Sequence, residues 1–306
     1  MRLIDAVGLD RALPMEAAID ALEAGFRAPR LPRSPLRTSV DAEGAELLLM
    51  PAVGEPGTGI KLVTVNPSNP KRGLPLIHAV YVLFAPGTSE PAAVIDGAAL
   101  TALRTAAVSG LATRHLANQE AERLVIFGAG VQANGHLMAM RAVRPVWHVT
   151  VVSRSPGRAQ ALVDRGRSLD MEAAAGGPES VAKADLVCTC TTSPEPLFEG
   201  SLLKPGAHVN AVGAYRPETR ELDDAAMTRS KIVVETREAA MAEAGDVVIP
   251  MASGAIGPSA VVADLAEVVK GASVRTGPDD ITVFKSVGVA FEDLILARAA
   301  VDRIDR

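Results

Sequence analysis

The 306-residue sequence predicts an α/β protein in two parts, on three observations. After about residue 122, apolar β-runs alternate with helix-period segments, which argues for a parallel sheet covered on both faces. Before residue 98 the β-runs follow one another with only Gly, Pro and Asn turns between them, so this part reads as a meander with an antiparallel component. The tail "VGVAFEDLILARAAVDRI" returns to an amphipathic helix. The length suits two compact units, and a 48% apolar composition supplies their cores.

Taken in order, "MEAAIDALEAGF" sets Met15, Ile19, Leu22 and Phe26 on one helical stripe, and the Pro-rich "APRLPRSPLR" ends it. β-type runs are expected at 46–50, 59–66, 76–84 and 92–95, then helix from about 98. Further strands are expected at 124–127, 148–152, 186–189, 208–212 and 232–235. A net charge of −5 gives no whole-protein field for nucleic acid or an anionic membrane. Asp5 and Asp10 break up the N-terminal apolar residues, and no run approaches the roughly 18–20 residues that cross a bilayer. Cys188 and Cys190 lie two apart on one strand face, fitting plain packing in a reducing, cytoplasmic setting. The five histidines have no metal-ligand spacing, so no metal is expected.

Chemistry enters at "RLVIFGAGVQA". Gly128, Gly130 and Ala133 match the G-x-G-x-x-A nucleotide fingerprint between a strand and a helix. Gly128 permits the tight turn, Gly130 admits the pyrophosphate, and Ala133 lets helix and strand pack closely. The second β-run ends in "VVSRSPGR", where an acid would bind a ribose 2′-hydroxyl. Ser153, Arg154 and Arg158 stand there instead, and a hydroxyl with guanidinium groups favours a 2′-phosphate. NADPH is the expected cofactor, with NADH possible.

Cations in apolar surroundings supply the second set. Lys61 in "GIKLVTVN" shares a strand face with Val63 and Val65, so it needs an anion, from a structural Asp or Glu or from a ligand. Arg104 precedes Thr105, a candidate N-cap for a small-residue helix, and a helix start attracts anions; Arg104 and Thr105 are also candidate cofactor contacts. Arg37 in "PLRTS" is a third cation. Together Arg37, Lys61 and Arg104 suggest a carboxylate pocket, with Lys61 and Arg104 also catalytic candidates. His78 in "PLIHAVYVLF" is a candidate for the substrate side, for core hydrogen bonding or for a place near the cofactor.

The segments "GIKLVTVNP", "VIDGAALTALRTAAVSGLA", "VIFGAGVQA", "PGAHVNAVGAYRPETRELDD", "EAGDVVIP" and "ITVFKSVGVAFED" resemble the ornithine cyclodeaminase/mu-crystallin family. The resemblance implies a Rossmann-type dinucleotide domain over 113–285. It also implies an α+β substrate and dimerisation domain over 1–112 with 286–306, and a homodimer. It places Arg37, Lys61 and Arg104 around a substrate carboxylate. For the cofactor it points to Ala129, Val131, Gln132, Ser153, Arg154, Ser155, Thr191 with its neighbour Thr192, Val212 and Val287. Cyclodeaminases of the family carry a catalytic Asp after the "NAVG" glycine, where this chain has Tyr215, with Glu218 in place of a later Gly. That departure resembles the mu-crystallin branch and bacterial ketimine reductases. The activity it implies is reduction of a cyclic ketimine carboxylate, with Tyr215, Lys61 or water giving the proton. An alanine dehydrogenase-like enzyme, a cyclodeaminase and a non-catalytic small-ligand binder are the alternatives.

Overall fold

The computed structural model describes residues 1–305. The backbone divides into two compact units, Met1–Arg104 with the chain from Val289 onward, and Thr105–Gly288.

The first unit is built on a six-stranded sheet in the order β1-β6-β5-β4-β3-β2. Its strands are β1 Arg2–Ile4, β2 Thr38–Asp41, β3 Glu46–Gly54, β4 Gly57–Val65, β5 Ile77–Phe84 and β6 Pro91–Asp96. β2 to β6 form the expected antiparallel meander, and β1 joins β6 in parallel. Alternation sends Leu48, Met50, Val63, Val65, Tyr81, Leu83 and Ile95 into the core. The helix Met15–Arg27 contributes Ile19, Leu22 and Phe26, all fully buried. Phe26 meets Phe291 of the C-terminal helix edge to face at 5.2 Å.

Two strands and a helix of this unit escaped the sequence pattern. β1 has three residues, and β2 is exposed along its whole length, so neither shows alternation. The helix Ala6–Ala12 starts at Asp5, whose carboxylate accepts from the Gly8 amide at 2.7 Å. The C-terminal helix Ala290–Ile304 also departs from the amphipathic expectation. Every residue from Ala290 to Ala297 is buried, Glu292 and Asp293 included.

The second unit is an all-parallel sheet in the order β13-β12-β14-β11-β10-β7-β8-β9. The strands are β7 Arg123–Phe127, β8 His148–Val152, β9 Glu172–Ala175, β10 Leu186–Thr189, β11 His208–Ala211, β12 Ser230–Val234, β13 Val261–Asp264 and β14 Ile281–Lys285. From β7 the chain winds outward to β8 and β9, then returns to lay β10 and β11 on the other side. That reversal is the switch point at which doubly wound sheets bind dinucleotides. β9 ("EAAA") lacks β-branched residues, and β13 and β14 were not among the expected strands although they are as long as strands that were.

The helix Gly97–Leu116 begins in the first unit and ends in the second. This corrects the reading of Thr105 as an N-cap. Asp96 accepts from the Ala99 amide at 2.9 Å, and the alanines that follow carry the helix straight through. Arg104 and Thr105 lie within it, so no helix-end dipole acts at either residue. At its far end the Arg144 guanidinium binds the carbonyls of Thr113, Arg114 and Ala117 at 2.8–2.9 Å. Among the described residues no helix is long and apolar enough to cross a membrane.

Candidate functional site

In the first unit the strand period carries Lys61 inward with Val63 and Val65, where it is 1% exposed. Its anion is Asp293 of the C-terminal helix, with Nζ 3.0 Å from Oδ1 and 2.8 Å from Oδ2. Arg104, 6% exposed, reaches the same carboxylate, its Nε 3.6 Å from Asp293 Oδ1 and Nη1 3.5 Å from Glu292 Oε2. Burial pulls the Lys61 pKa from 10.5 down to about 8; Asp293 opposes this, while Arg104 and Arg37 add to it. Two buried cations thus share one carboxylate, with Arg37 in electrostatic range. An ammonium has three donors, so Lys61 can hold Asp293 and still donate to a second carboxylate.

Tyr81 stands directly across from Lys61 in the β4–β5 ladder and is fully buried. Burial, with Asp293 adding to it, pushes its phenol far above the ordinary pKa, so it stays protonated. It leans over Gly59, where a Cβ would lie 2.0 Å from the Tyr81 hydroxyl. His78 is not gathered with the cations. It lies three residues before Tyr81, so the strand period turns it to the opposite, exposed face beside Thr64. The strand period therefore sets it apart from Lys61, Arg104 and Asp293.

In the second unit the glycine loop has the geometry a pyrophosphate needs. Gly128 has φ +101°, and a Cβ there would lie 2.5 Å from the Cys190 carbonyl oxygen. Beside Gly130, the residue that opens the helix Val131–Val143, no atom lies within 4 Å of a Cβ position. An anion can approach the backbone there and meet the helix amides. Ala133 is fully buried in the helix–strand contact, and Val131 is 71% exposed. At the end of β8, Ser153 is half-buried while Arg154, Ser155 and Arg158 are exposed. These residues fit a dinucleotide.

The strand ends beyond the switch point are held by buried acids. Glu221 accepts from the Thr189 hydroxyl at 2.7 Å, the Thr191 amide at 2.9 Å, the Thr191 hydroxyl at 2.7 Å and the Gly213 amide at 2.7 Å. Asp246 accepts from the amides of Glu221 and Leu222 and pairs with Lys285 at 2.8 Å. Lys285 donates in turn to the Ala214 carbonyl at 2.5 Å. Glu235 binds the Ser286 hydroxyl and the amides of Val287 and Gly288. The expected contacts Thr191, Val212, Tyr215 and Val287 therefore sit on clamped turns, with the Arg216 guanidinium 5.7 Å from the Tyr215 ring centre. Thr192 is exposed.

Sequence reading missed Glu221, Glu235, Asp246, Glu292 and Asp293. The signal that found Lys61, a charge inside an apolar run, was also present in "VVETR", "AGDVVIP" and "AFEDLIL".

Comparison with known proteins agrees with the fold. The family model for the ornithine cyclodeaminase/mu-crystallin family matches residues 1–306. The chain is 38% identical over 274 residues to a Delta(1)-pyrroline-2-carboxylate reductase of Bacillus cereus, covering 87% of this chain and 84% of that protein. It is 37% identical over 293 residues to the ketimine reductase mu-crystallin of Rattus norvegicus, covering 94% and 90%. The solved structure of Thermococcus litoralis Delta(1)-pyrroline-2-carboxylate reductase with NADH and L-proline superposes with a TM-score of 0.93 at 34% identity, covering 99% of this chain and 97% of that one. With a family match over the whole length and relatives of this identity, the chain belongs to the ornithine cyclodeaminase/mu-crystallin family.

Proposed function

We propose that the protein is a nicotinamide-dependent reductase of cyclic ketimine carboxylates, turning Δ1-pyrroline-2-carboxylate or Δ1-piperideine-2-carboxylate into L-proline or L-pipecolate. The observation that carries this reading is the buried convergence of Lys61 and Arg104 on Asp293, with Arg37 in range. Burying cations is costly, and a small acid as ligand gives them a purpose. The relatives named above are reductases of such imines.

The substrate's carboxylate is taken by Arg37, Lys61 and Arg104. A bound nicotinamide supplies the hydride to the C=N carbon. The nitrogen gains one proton, so the C=N bond becomes CH–NH. The substrate brings that proton as its iminium, or receives it from Tyr215 or Lys61. A lysine with a pKa near 8 donates far more readily than an ordinary one. Fixing the carboxylate orients the imine, and that positioning does most of the work.

Two finer points belong to the same proposal. Ser153, Arg154 and Arg158, with no acid at the end of β8, favour NADPH over NADH. The outer face of the six-stranded sheet carries half-exposed Leu47, Leu49, Ile60, Leu62, Val80, Val82 and Val94 and suits a second copy of the chain.

The test is a panel of the two cyclic imines, and of open-chain 2-keto acids with ammonia, each with NADPH and with NADH. Turnover of a cyclic imine without ammonia is expected. Turnover only of keto acid plus ammonia would mark an amino-acid dehydrogenase and overturn the proposal.

A further inference from the structure

Glu221 has a role that substrate and cofactor contacts do not account for. Its side chain is fully buried in the second unit, and its two oxygens accept from four donors on the turns after β10 and β11. Two of these donors are backbone amides and two are hydroxyls, so the acceptor sites of an ionised carboxylate are all filled. Such a set favours the charged form. Burial leaves its pKa above the ordinary carboxylate value, with Asp246 adding to the rise and Lys285 and the hydroxyls of Thr191 and Thr189 opposing it, so the charge is held by Lys285 and the four donors. The ammonium of Lys285 is itself engaged by Asp246 at 2.8 Å and by the Ala214 carbonyl. Gly213 makes the arrangement possible, because a Cβ there would lie 2.5 Å from Glu221 Oε1 and 2.1 Å from the Thr191 carbonyl oxygen.

The place of this charge in the sheet gives it a consequence. A dinucleotide on a doubly wound sheet spans the strand-order reversal, with one half on each side. The glycine loop follows β7, and Ser153 and Arg154 follow β8 on the adenosine side. A dinucleotide bound across that reversal would have its nicotinamide half on the side of β10 and β11, whose turns Glu221 holds through Thr191 and Gly213. The nicotinamide ring is a cation when oxidised and neutral when reduced.

We propose that Glu221 is a positioning residue whose fixed negative charge, under the ends of β10 and β11, favours the oxidised nicotinamide over the reduced one and so makes the bound cofactor a stronger hydride donor. A preorganised charge aimed where positive charge develops also lowers the barrier to hydride loss. The catalytic consequence rests on the imine-reductase reading; the effect on cofactor binding requires only that a nicotinamide binds.

Equilibrium titration with the oxidised and reduced cofactors, for wild type and Glu221→Gln, separates the two. The ratio of Kd for the oxidised form to Kd for the reduced form is expected to rise at least about threefold in Glu221→Gln, the scale of a unit charge acting through a partly polar interior. Glu221→Asp, which keeps the charge, is expected to hold the wild-type ratio. A structural role alone would weaken both forms equally, and an unchanged ratio overturns the proposal. Should Glu221→Gln not fold, wild type alone decides. The oxidised form is expected to bind at least as tightly as the reduced, and a reduced form bound about tenfold more tightly overturns the proposal. Failure of imine turnover with the ratio shift intact would sink the substrate reading and leave this one standing.

Discussion

Lys61 and Asp293 are each about 1% exposed or less and face one another across 2.8 Å, so neither can lose its partner cheaply. Lys61→Met leaves the buried Asp293 with the more distant Arg104, 3.6 Å away, and a loss of about 3 kcal/mol in urea unfolding is expected. Lys61→Met with Asp293→Leu removes both charges and is expected to recover most of that loss while staying inactive. Recovery of stability without activity separates the folding role of the pair from its chemical one. The lowered Lys61 pKa sets two opposite pH trends. Between about pH 8 and 10.5 the unfolded chain keeps a proton that the folded chain has released, so the contribution of Lys61 to stability grows across that window and is flat below it. Activity needs the ammonium, so kcat/KM is expected to fall as pH rises through about 8. Asp293→Asn removes the anion that holds the proton on and should move that fall to lower pH. A limb that stays in place in Asp293→Asn would separate the pH dependence from Lys61. Lys61 was legible because a lone cation in an apolar strand is conspicuous. Asp293 carries the same signal in "AFEDLIL", but its pairing with Lys61 was not legible, because the contact crosses 232 residues of sequence.

At the level of elements, the strands and helices that pack one face and expose the other were readable, and those that do neither were not. β4 alternates along its length and β5 from Val80 onward, and β10, buried along its length, reads as a short apolar run. The C-terminal helix misled because its first two turns are buried all round, and the period that marks a surface helix is absent from them. It delivers Glu292 and Asp293 to the cations and Leu294 and Leu296 to the core. Leu294→Ala should cost about 2–5 kcal/mol. The break between strand β7 and its helix depends on Gly128. Gly128→Ala meets both a positive φ and the Cys190 carbonyl, so about 1–3 kcal/mol of strain and a large loss of cofactor affinity are expected together. Calorimetric titration of the purified variant checks the affinity. The helix expected from about 98 does begin there, at Gly97; the cap reading of Thr105 failed because Thr105 is a good cap in isolation, while the alanines before it carry the helix back to Asp96.

The whole chain places its two kinds of chemistry in separate units, cations and their carboxylates in one, the phosphate loop and clamped turns in the other. Local sequence announced the second through its glycines. It announced the first only in part, since the acids that complete it come from the end of the chain. The apolar outer face of the six-stranded sheet predicts a dimer in light scattering, and Leu62→Glu with Val82→Glu is expected to yield monomer. The central claim is that this molecule delivers hydride to the carbon of a cyclic imine whose carboxylate its buried cations hold. Deuterium tracing tests it most directly, with Δ1-pyrroline-2-carboxylate and a reduced cofactor labelled at the transferable position of its nicotinamide ring. The product expected is L-proline carrying one deuterium on its α-carbon, formed by wild type and not by Lys61→Met. Unlabelled proline, or labelled proline formed equally well by Lys61→Met, would contradict the account.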